Sequence, residues 1–471
     1  MVLRNGPCMV CGFLLLTTAW LSAADMARLP AHGPYFPCDD RIIEDRWQVE
    51  RFVVPLQRHP SNPLLVKEHV WEGTGPLMQG SVLFDPQDRR FKLWYLVWDE
   101  QAYREKKRFS YNVCYAESQD GLLWKKPKLG LFIYRDDAAN NLIKLGRNKT
   151  QGIDVELNPK PRSAEDRLIA IHNDSGGVFL SASTDGKTFA CDFQHPALCY
   201  HSDTHNNFVY DEEADRWLMY VRPRAYAGNG LKDVGRRRVA VKASKELMSW
   251  TAERTILVPE EGDVDYFYGM TVFRCGDLFW GALQRYETKS HHIDCELVWS
   301  PDGYQWQRLP AAAQRTWLSI GEKNSWDGGM VFLADRPVQV GDELRFYYGA
   351  LDLPHDRTGH GAIGLATTPI NRLVAVQSKA EQNSRLLTRP FTAKGDLFIN
   401  ANASGEIRVE VTTLNDEPLP GWSSRECTPF TGDRVEQKVT WGEHSLAELH
   451  GETLRLRFHL DHAILYSFEI K

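Results

Sequence analysis

The sequence predicts an all-β protein: a five-bladed β-propeller over residues 60–375, followed by a small C-terminal β-sandwich at 388–471. Three observations predict it. A hairpin mark recurs at a spacing of roughly sixty residues, the period of a propeller blade. Short strand patterns, and no helical period of useful length, fill the intervals. Aromatic residues make up 11% of the chain, which suits a β-rich scaffold.

The mark is Ser118, Asp120, Gly121 and Trp124, repeated as Ser183, Asp185, Gly186 and Phe189, and again as Ser300, Asp302, Gly303 and Trp306. A degenerate copy runs from Ser244 to Trp250, and a weaker end of the pattern lies at Ala366–Pro369. Asp-Gly supplies the positive φ of a tight hairpin, and the aromatic residue opens a fourth strand. The sialidase Asp box has one more residue between its Asp and Gly, so a six-bladed sialidase is disfavoured. Strand-like runs precede each mark, such as Phe91–Tyr95 and Tyr111–Tyr115 before the first. After residue 388 the alternation changes. Runs at 395–401, 405–411, 436–441, 453–458 and 463–468 predict the sandwich, and 375–388 is a polar link. Residues 25–59 form an N-terminal strand segment that closes the ring or braces the C-terminal unit.

Residues 1–24 read as a signal peptide: Arg4, an apolar stretch from Val10 to Leu21, then Ser22-Ala23-Ala24. The mature chain is expected to be secreted or periplasmic, with no membrane span. A net charge of −6 gives no general pull toward nucleic acid, and the basic run Arg236–Arg238 is too short to change that. The scattered cysteines of the mature chain form no disulfide framework or metal motif. No P-loop, dinucleotide fingerprint or GxSxG elbow is present. Glycosylation triplets at Asn148, Asn173 and Asn402 are weak patterns.

Loops leading into the first strand of each blade face one end of a propeller. In this chain all five carry acids: Glu72, then Asp154 with Glu156, Asp203, Asp265 (after Asp263) and Asp327. Asp and Asn often do no more than cap such loops. Five acid-bearing loops beside aromatic residues, amides and glycines suit a carbohydrate cleft. Hydrolysis of a glycosidic bond needs one carboxyl kept protonated and another kept charged. Glu72, Asp154, Asp203 and Asp327 are therefore the catalytic candidates, with Asp203 expected as the acid within a network of His205, Asn206 and Asn207. A tunnel-axis structural role is the rival reading for His205. Tyr266, Tyr268 and Trp326 are expected as walls, with Glu156 and Asp265 in the same cleft. Arg222, Arg285 and His355 would contact substrate. No cofactor is called for; an oxygen-rich tunnel suits a structural Ca²⁺, though no element demands one.

The run Tyr115, Ala116, Glu117, Ser118, Asp120, Gly121, Trp124, Lys126 and Pro127, with Leu129-Gly130 and Asn140–Ile143, resembles secreted bacterial propeller proteins of planctomycete type. These are grouped as family 32 N-terminal-domain-like, within the five-bladed glycoside hydrolases of families 43, 32, 68, 62 and 117. The tail at 399–411 and 465–468 resembles the same group, so the likeness spans about 60–471. It implies a base or nucleophile at Glu72, a stabilising acid at Asp154 or Glu156, and a general acid at Asp203. The chain lacks the family 32 Asn-Asp-Pro-Asn-Gly, Arg-Asp-Pro and Glu-Cys motifs. Asn158-Pro159 and Arg222-Pro223 are without the acids those motifs need. An invertase or levanase is thereby disfavoured. The expected function is a secreted glycoside hydrolase acting on a poly- or oligosaccharide. The alternatives are a non-catalytic carbohydrate-binding propeller and, more remotely, a polysaccharide lyase.

Overall fold

The computed structural model describes residues 33–107, 109–146, 150–224, 237–311, 313–379 and 383–471. The leader, Asn148 of the first glycosylation triplet and Arg236 lie outside them. The described chain is overwhelmingly β, with one short α-helix at Glu100–Arg104. No helix among the described residues is long and apolar enough to cross a membrane.

Five antiparallel meanders follow one another. The first is Val82–Asp85, Arg90–Trp98 and Tyr111–Ser118. The second is Gln151–Leu157, Leu168–Asp174, Gly177–Ser183 and Ala190–Cys191. The third is Asn207–Asp211, Arg216–Val221, Val239–Ser244 and Arg254–Leu257. The fourth is Tyr266–Cys275, Leu278–Tyr286, Ile293–Ser300 and Thr316–Leu318. The fifth is Met330–Leu333, Glu343–Leu351 and Gly361–Pro369, with Gln57–Arg58 from the N-terminal segment as its outermost strand. A parallel bridge from Ile293 to Met330 joins the fourth and fifth into one nine-stranded sheet. Inner strands are buried on both faces because neighbouring sheets cover them; every residue of Leu168–Asp174 is buried.

The recurring Ser-x-Asp-Gly mark is a rivet between sheets. Ser118, Ser183 and Ser300 each accept the glycine N–H through Oγ at 2.9 Å. Asp120, Asp185 and Asp302 each cap the next two amides. The glycines hold φ near +75°. A Cβ there would stand 2.4 Å from Tyr347 Oη at Gly121, 2.5 Å from the Trp94 ring at Gly186, and 2.4 Å from Leu218 at Gly303. Each glycine carbonyl accepts from the sheet it touches: Tyr347 Oη at 2.7 Å, Trp94 Nε1 at 2.6 Å and Tyr220 Oη at 3.1 Å. The first meander is thereby pinned to the fifth, the second to the first and the fourth to the third. In the degenerate copy Ser244 still caps position 247, where Leu247 takes the positive φ. The expected fourth strand at Trp124 is reduced to a single bridge, Glu117 to Lys125, because Trp124 packs edge-on against Tyr347 instead.

First strands are also tied to one another. Val155 N donates to Ser81 Oγ at 2.6 Å, Phe208 N to Asp154 Oδ2 at 2.7 Å, and Val272 N to Asn207 Oδ1 at 2.8 Å. Arg336, just past the first strand of the fifth meander, reaches Asp154 Oδ1 at 3.1 Å. The end at which these first strands begin is called the upper end below.

The C-terminal region differs from the expected sandwich of short strands. Runs at 395–401 and 405–411 are one 16-residue strand, Leu397–Thr412, and those at 453–458 and 463–468 are one 18-residue strand, Thr453–Ile470. They pair along most of their length, with breaks in register at Asn400/Ala401 and Ala403/Glu406. Their sheet also takes Val374–Ser378, Ser384–Thr388 and, from the N-terminal segment, Ile43–Trp47 and Val49–Val53. It therefore reaches outside 388–471. One apolar cluster, including Tyr35, Leu386, Ile399, Trp441, Phe458 and Phe468, forms its core.

Candidate functional site

Four of the sequence-derived residues meet at the upper end: Asp203, Arg222, Tyr268 and His355. Asp203 lies in the loop before Asn207–Asp211, and its side chain keeps 38% exposure, so solvent reaches it. Its Oδ1 accepts from Gln151 Nε2 at 2.9 Å; Arg222 Nη1 stands 3.6 Å from Oδ2 and His201 Nε2 3.9 Å from Oδ1. Burial opposes its ionisation, but His201, Arg222 and Arg237 outweigh burial and hold the carboxyl well below the usual carboxylate range. Asp203 is thus charged at any ordinary pH. The proton-donating role expected of it is not the one its surroundings support.

Arg222 follows the strand Arg216–Val221 and is buried. It donates from Nη2 to the Tyr268 carbonyl at 2.8 Å and lies 5.1 Å from that ring. Burial, and then the nearby charge of Arg237, bring its pKa down to about 10, so it remains a cation at neutral pH. In the strand Tyr266–Cys275 the two-residue period buries Phe267 and turns Tyr266 and Tyr268 to the other face. Tyr268 receives the Arg237 guanidinium 4.4 Å from its ring centre, and its hydroxyl is 3.1 Å from His355 Nε2. Burial, and then Arg237, push the His355 pKa down to about 4, so its imidazole is neutral. Tyr266 adjoins the group by stacking on Tyr286 at 5.6 Å.

The remaining candidates go elsewhere. Glu72 is fully buried. It accepts from the amides of Glu68 and His69 and from Tyr95 Oη, and pairs with Lys126 Nζ at 2.8 Å. All its lone pairs are occupied, which leaves none for a base. Asp327 is bound by Arg58 Nε at 2.8 Å, Tyr348 Oη at 3.1 Å and Ser325 Oγ at 2.8 Å. It anchors the N-terminal strand to the fifth meander, and Trp326 packs on Tyr348 beside it. Arg285 pairs with Asp294 within the fourth meander. Asp265 is exposed and accepts from Thr288 Oγ1. His205 is buried beside Asp154 with both ring nitrogens lacking a hydrogen-bond partner among the described residues, and burial lowers its pKa. It forms no hydrogen-bonded network with Asp203.

Asp154 does belong to a pair of carboxyls, though not the pair expected. Its partner is Asp335, pushed well above the usual range by burial and by the charge of Asp154. Both are fully buried, with Arg336 Nη2 3.1 Å from Asp154 and 3.0 Å from Asp335. No substrate reaches this pair. Arg336 also binds Glu156, which lines a cavity of about 570 Å³ at the lower end with Tyr210 and Trp217. Among the described residues no group of three or more His, Cys, Asp or Glu is arranged to hold a metal ion.

Gln151, His201, Arg237, Tyr286 and His291 of this neighbourhood were not anticipated. His291 accepts the His355 amide through its carbonyl at 2.9 Å. Three of the five, Arg237, Tyr286 and His291, come from the ends of second strands or the loops that follow them. Those loops return to the upper end as surely as the loops into first strands do, and this was the available signal.

No protein-family model matches the chain, and no curated protein does. Several solved structures are distantly similar. A β-1,2-mannobiose phosphorylase from Listeria innocua is 12% identical, with 67% of this chain and 97% of that one covered and a TM-score of 0.47. An N-acetylgalactosamine deacetylase from F. plautii is 15% identical, with 72% and 95% covered and a TM-score of 0.44. The catalytic domain of a Coprinopsis cinerea GH62 α-L-arabinofuranosidase is 12% identical, with 67% and 97% covered and a TM-score of 0.46. At these values no shared site or reaction is demonstrated.

Proposed function

We propose that this chain is an exported carbohydrate-active enzyme that breaks a glycosidic bond at the Asp203 cluster, with residues 1–24 as its leader. The five meanders are read as blades of one ring over 60–375, supported by the rivet from Gly121 to Tyr347 and by the closing strand Gln57–Arg58. One observation carries the functional reading. A reachable carboxylate held ionised (Asp203) shares one site with a hydroxyl backed by a neutral imidazole (Tyr268 with His355). Two groups whose surroundings drive their protonation states apart are what acid–base cleavage of a sugar acetal requires. Asp203 supplies negative charge against a developing oxocarbenium ion, and the Tyr268–His355 couple moves the proton. Tyrosine faces supply the stacking surface.

Elimination is the second reading. It is favoured because none of the other predicted acids reaches Asp203, whereas a tyrosine backed by a neutral histidine, beside two guanidiniums, suits proton abstraction next to a carboxylate.

The test is a screen of the full chain against plant and algal glycans beside Asp203→Asn and Tyr268→Phe. New reducing ends without ultraviolet absorbance, lost in both variants, are expected for hydrolysis. Absorbing unsaturated products would establish elimination instead. Saturable binding with no turnover would overturn the enzyme reading in favour of a binding module.

A further inference from the structure

The substrate's charge can be read from the arginines. Several structural arginines among the described residues sit on carboxylates at short range. Arg167 lies 2.8 Å from Asp85, Arg58 2.8 Å from Asp327, Arg285 2.7 Å from Asp294, and Arg315 3.0 Å from Asp263. The two at the upper end differ from these four. The carboxylate that Arg222 faces, Asp203, is 3.6 Å away, and its Nε has no hydrogen-bond partner among the described residues although the side chain is fully buried. For Arg237, no carboxylate of the described residues lies within ion-pair distance. Its Nη1 is buried without a hydrogen-bond partner among them, and its guanidinium stacks on Tyr268. Two guanidiniums therefore stand at one site with a single carboxylate near them, beyond hydrogen-bond distance of Arg222 and outside ion-pair distance of Arg237, and the adjacent His355 is neutral.

Unpaired buried guanidinium donors are costly to hold, and an arrangement that keeps them beside an exposed carboxylate and an aromatic wall is preorganised for an incoming oxyanion. We propose that the site selects a sugar unit carrying a single negatively charged oxyanion, met by Arg237 with the buried Arg222 guanidinium behind it, while its ring lies against Tyr268. This rests on the carbohydrate reading above and deepens it. A uronate carboxylate and a sulfate ester share this chemistry.

Binding of four hexasaccharides to the full chain, measured by calorimetry, tests it: oligogalacturonate, its methyl ester, a sulfated galactan fragment and neutral xylohexaose. The expected result is that at least one charged oligosaccharide binds ten-fold or more tighter than the two neutral ones. That preference should shrink as salt is raised. Preference for oligogalacturonate identifies the carboxylate, and preference for the galactan fragment identifies the sulfate. Arg237→Gln should remove most of the preference while leaving the melting temperature near that of the parent. Arg222→Lys, which keeps the charge but loses the planar fork, should weaken charged ligands more than neutral ones. Equal binding of charged and neutral sugars would overturn this inference and leave the carbohydrate reading standing. So would a preference untouched by Arg237→Gln. Absence of binding to all four would overturn both.

Discussion

Asp203 is held ionised by His201, Arg222 and Arg237 against its burial, and His355 is held neutral by burial first and by the two arginines second, because a cation stabilises a neighbouring carboxylate and penalises a neighbouring imidazolium. The consequence for pH is specific. Activity should show no acid limb from Asp203 at pH 5 to 7, and should fall only as pH approaches about 4, where His355 takes a proton. A pH–rate profile checks this. Tyr268→Phe, which removes the hydroxyl but keeps the wall, should lower kcat by about 10²-fold or more with little change in KM. His172 acts on stability. It is buried against Ser181, and burial lowers its pKa to about 4, below the roughly 6.5 of an unfolded histidine. The unfolded chain therefore binds a proton between these values that the folded chain does not, so stability is full above pH 6.5 and declines as pH falls toward 4. This group alone accounts for about 3 kcal/mol. Urea melts from pH 4.5 to 7.5 should show the slope, and His172→Phe should flatten it.

At the scale of elements, the hairpin glycines and the buried ion pairs decide stability without touching chemistry. Gly186→Ala forces a Cβ into the Trp94 ring at positive φ and should cost about 2–4 kcal/mol. Leu247→Ala, in the degenerate copy whose turn already carries a side chain at positive φ, should cost less, since it only removes packing. Thermal melts of the two variants compare them directly. Asp327→Asn weakens the hold on Arg58 and should lower stability by about 2 kcal/mol. Its kcat/KM at 25 °C should stay near the parent value, since the carboxylate faces the N-terminal strand and not the upper cluster. A loss of turnover with unchanged stability would return Asp327 to the catalytic list.

For the whole molecule, the N-terminal segment is the part that joins everything. Ile43–Trp47 and Val49–Val53 pair with the C-terminal sheet, and Gln57–Arg58 is the last strand of the fifth meander. Removing residues 25–58 would bare the edge of Gly361–Pro369 and leave Asp327 buried without its cation. The shortened chain should aggregate or melt well below the parent, measured by light scattering and calorimetry.

The all-β class, the positions of the meanders and the hairpins between them are legible in the order of residues alone. These rest on local rules: Ser118, Asp120 and Gly121 make the same turn wherever the three occur together, and a run such as Arg90–Trp98 is a strand from its own composition. The same order also placed Asp203, Arg222, Tyr268 and His355 among the candidates. Which acids are free emerges from the folded chain. Glu72, Asp154 and Asp327 look like Asp203 in sequence, but each meets a cation or amide donors from a distant segment: Lys126, Arg336 and Arg58. The long strands Leu397–Thr412 and Thr453–Ile470 were likewise read as pairs of short ones, because a bend in a strand looks like a turn until its partner is known. Asp335 carried no local signal, and Arg237 only that of lying in a loop after a second strand. Whether a carboxyl is a catalyst or half of a salt bridge depends on charges many residues away, and charge pairing is a property of the fold.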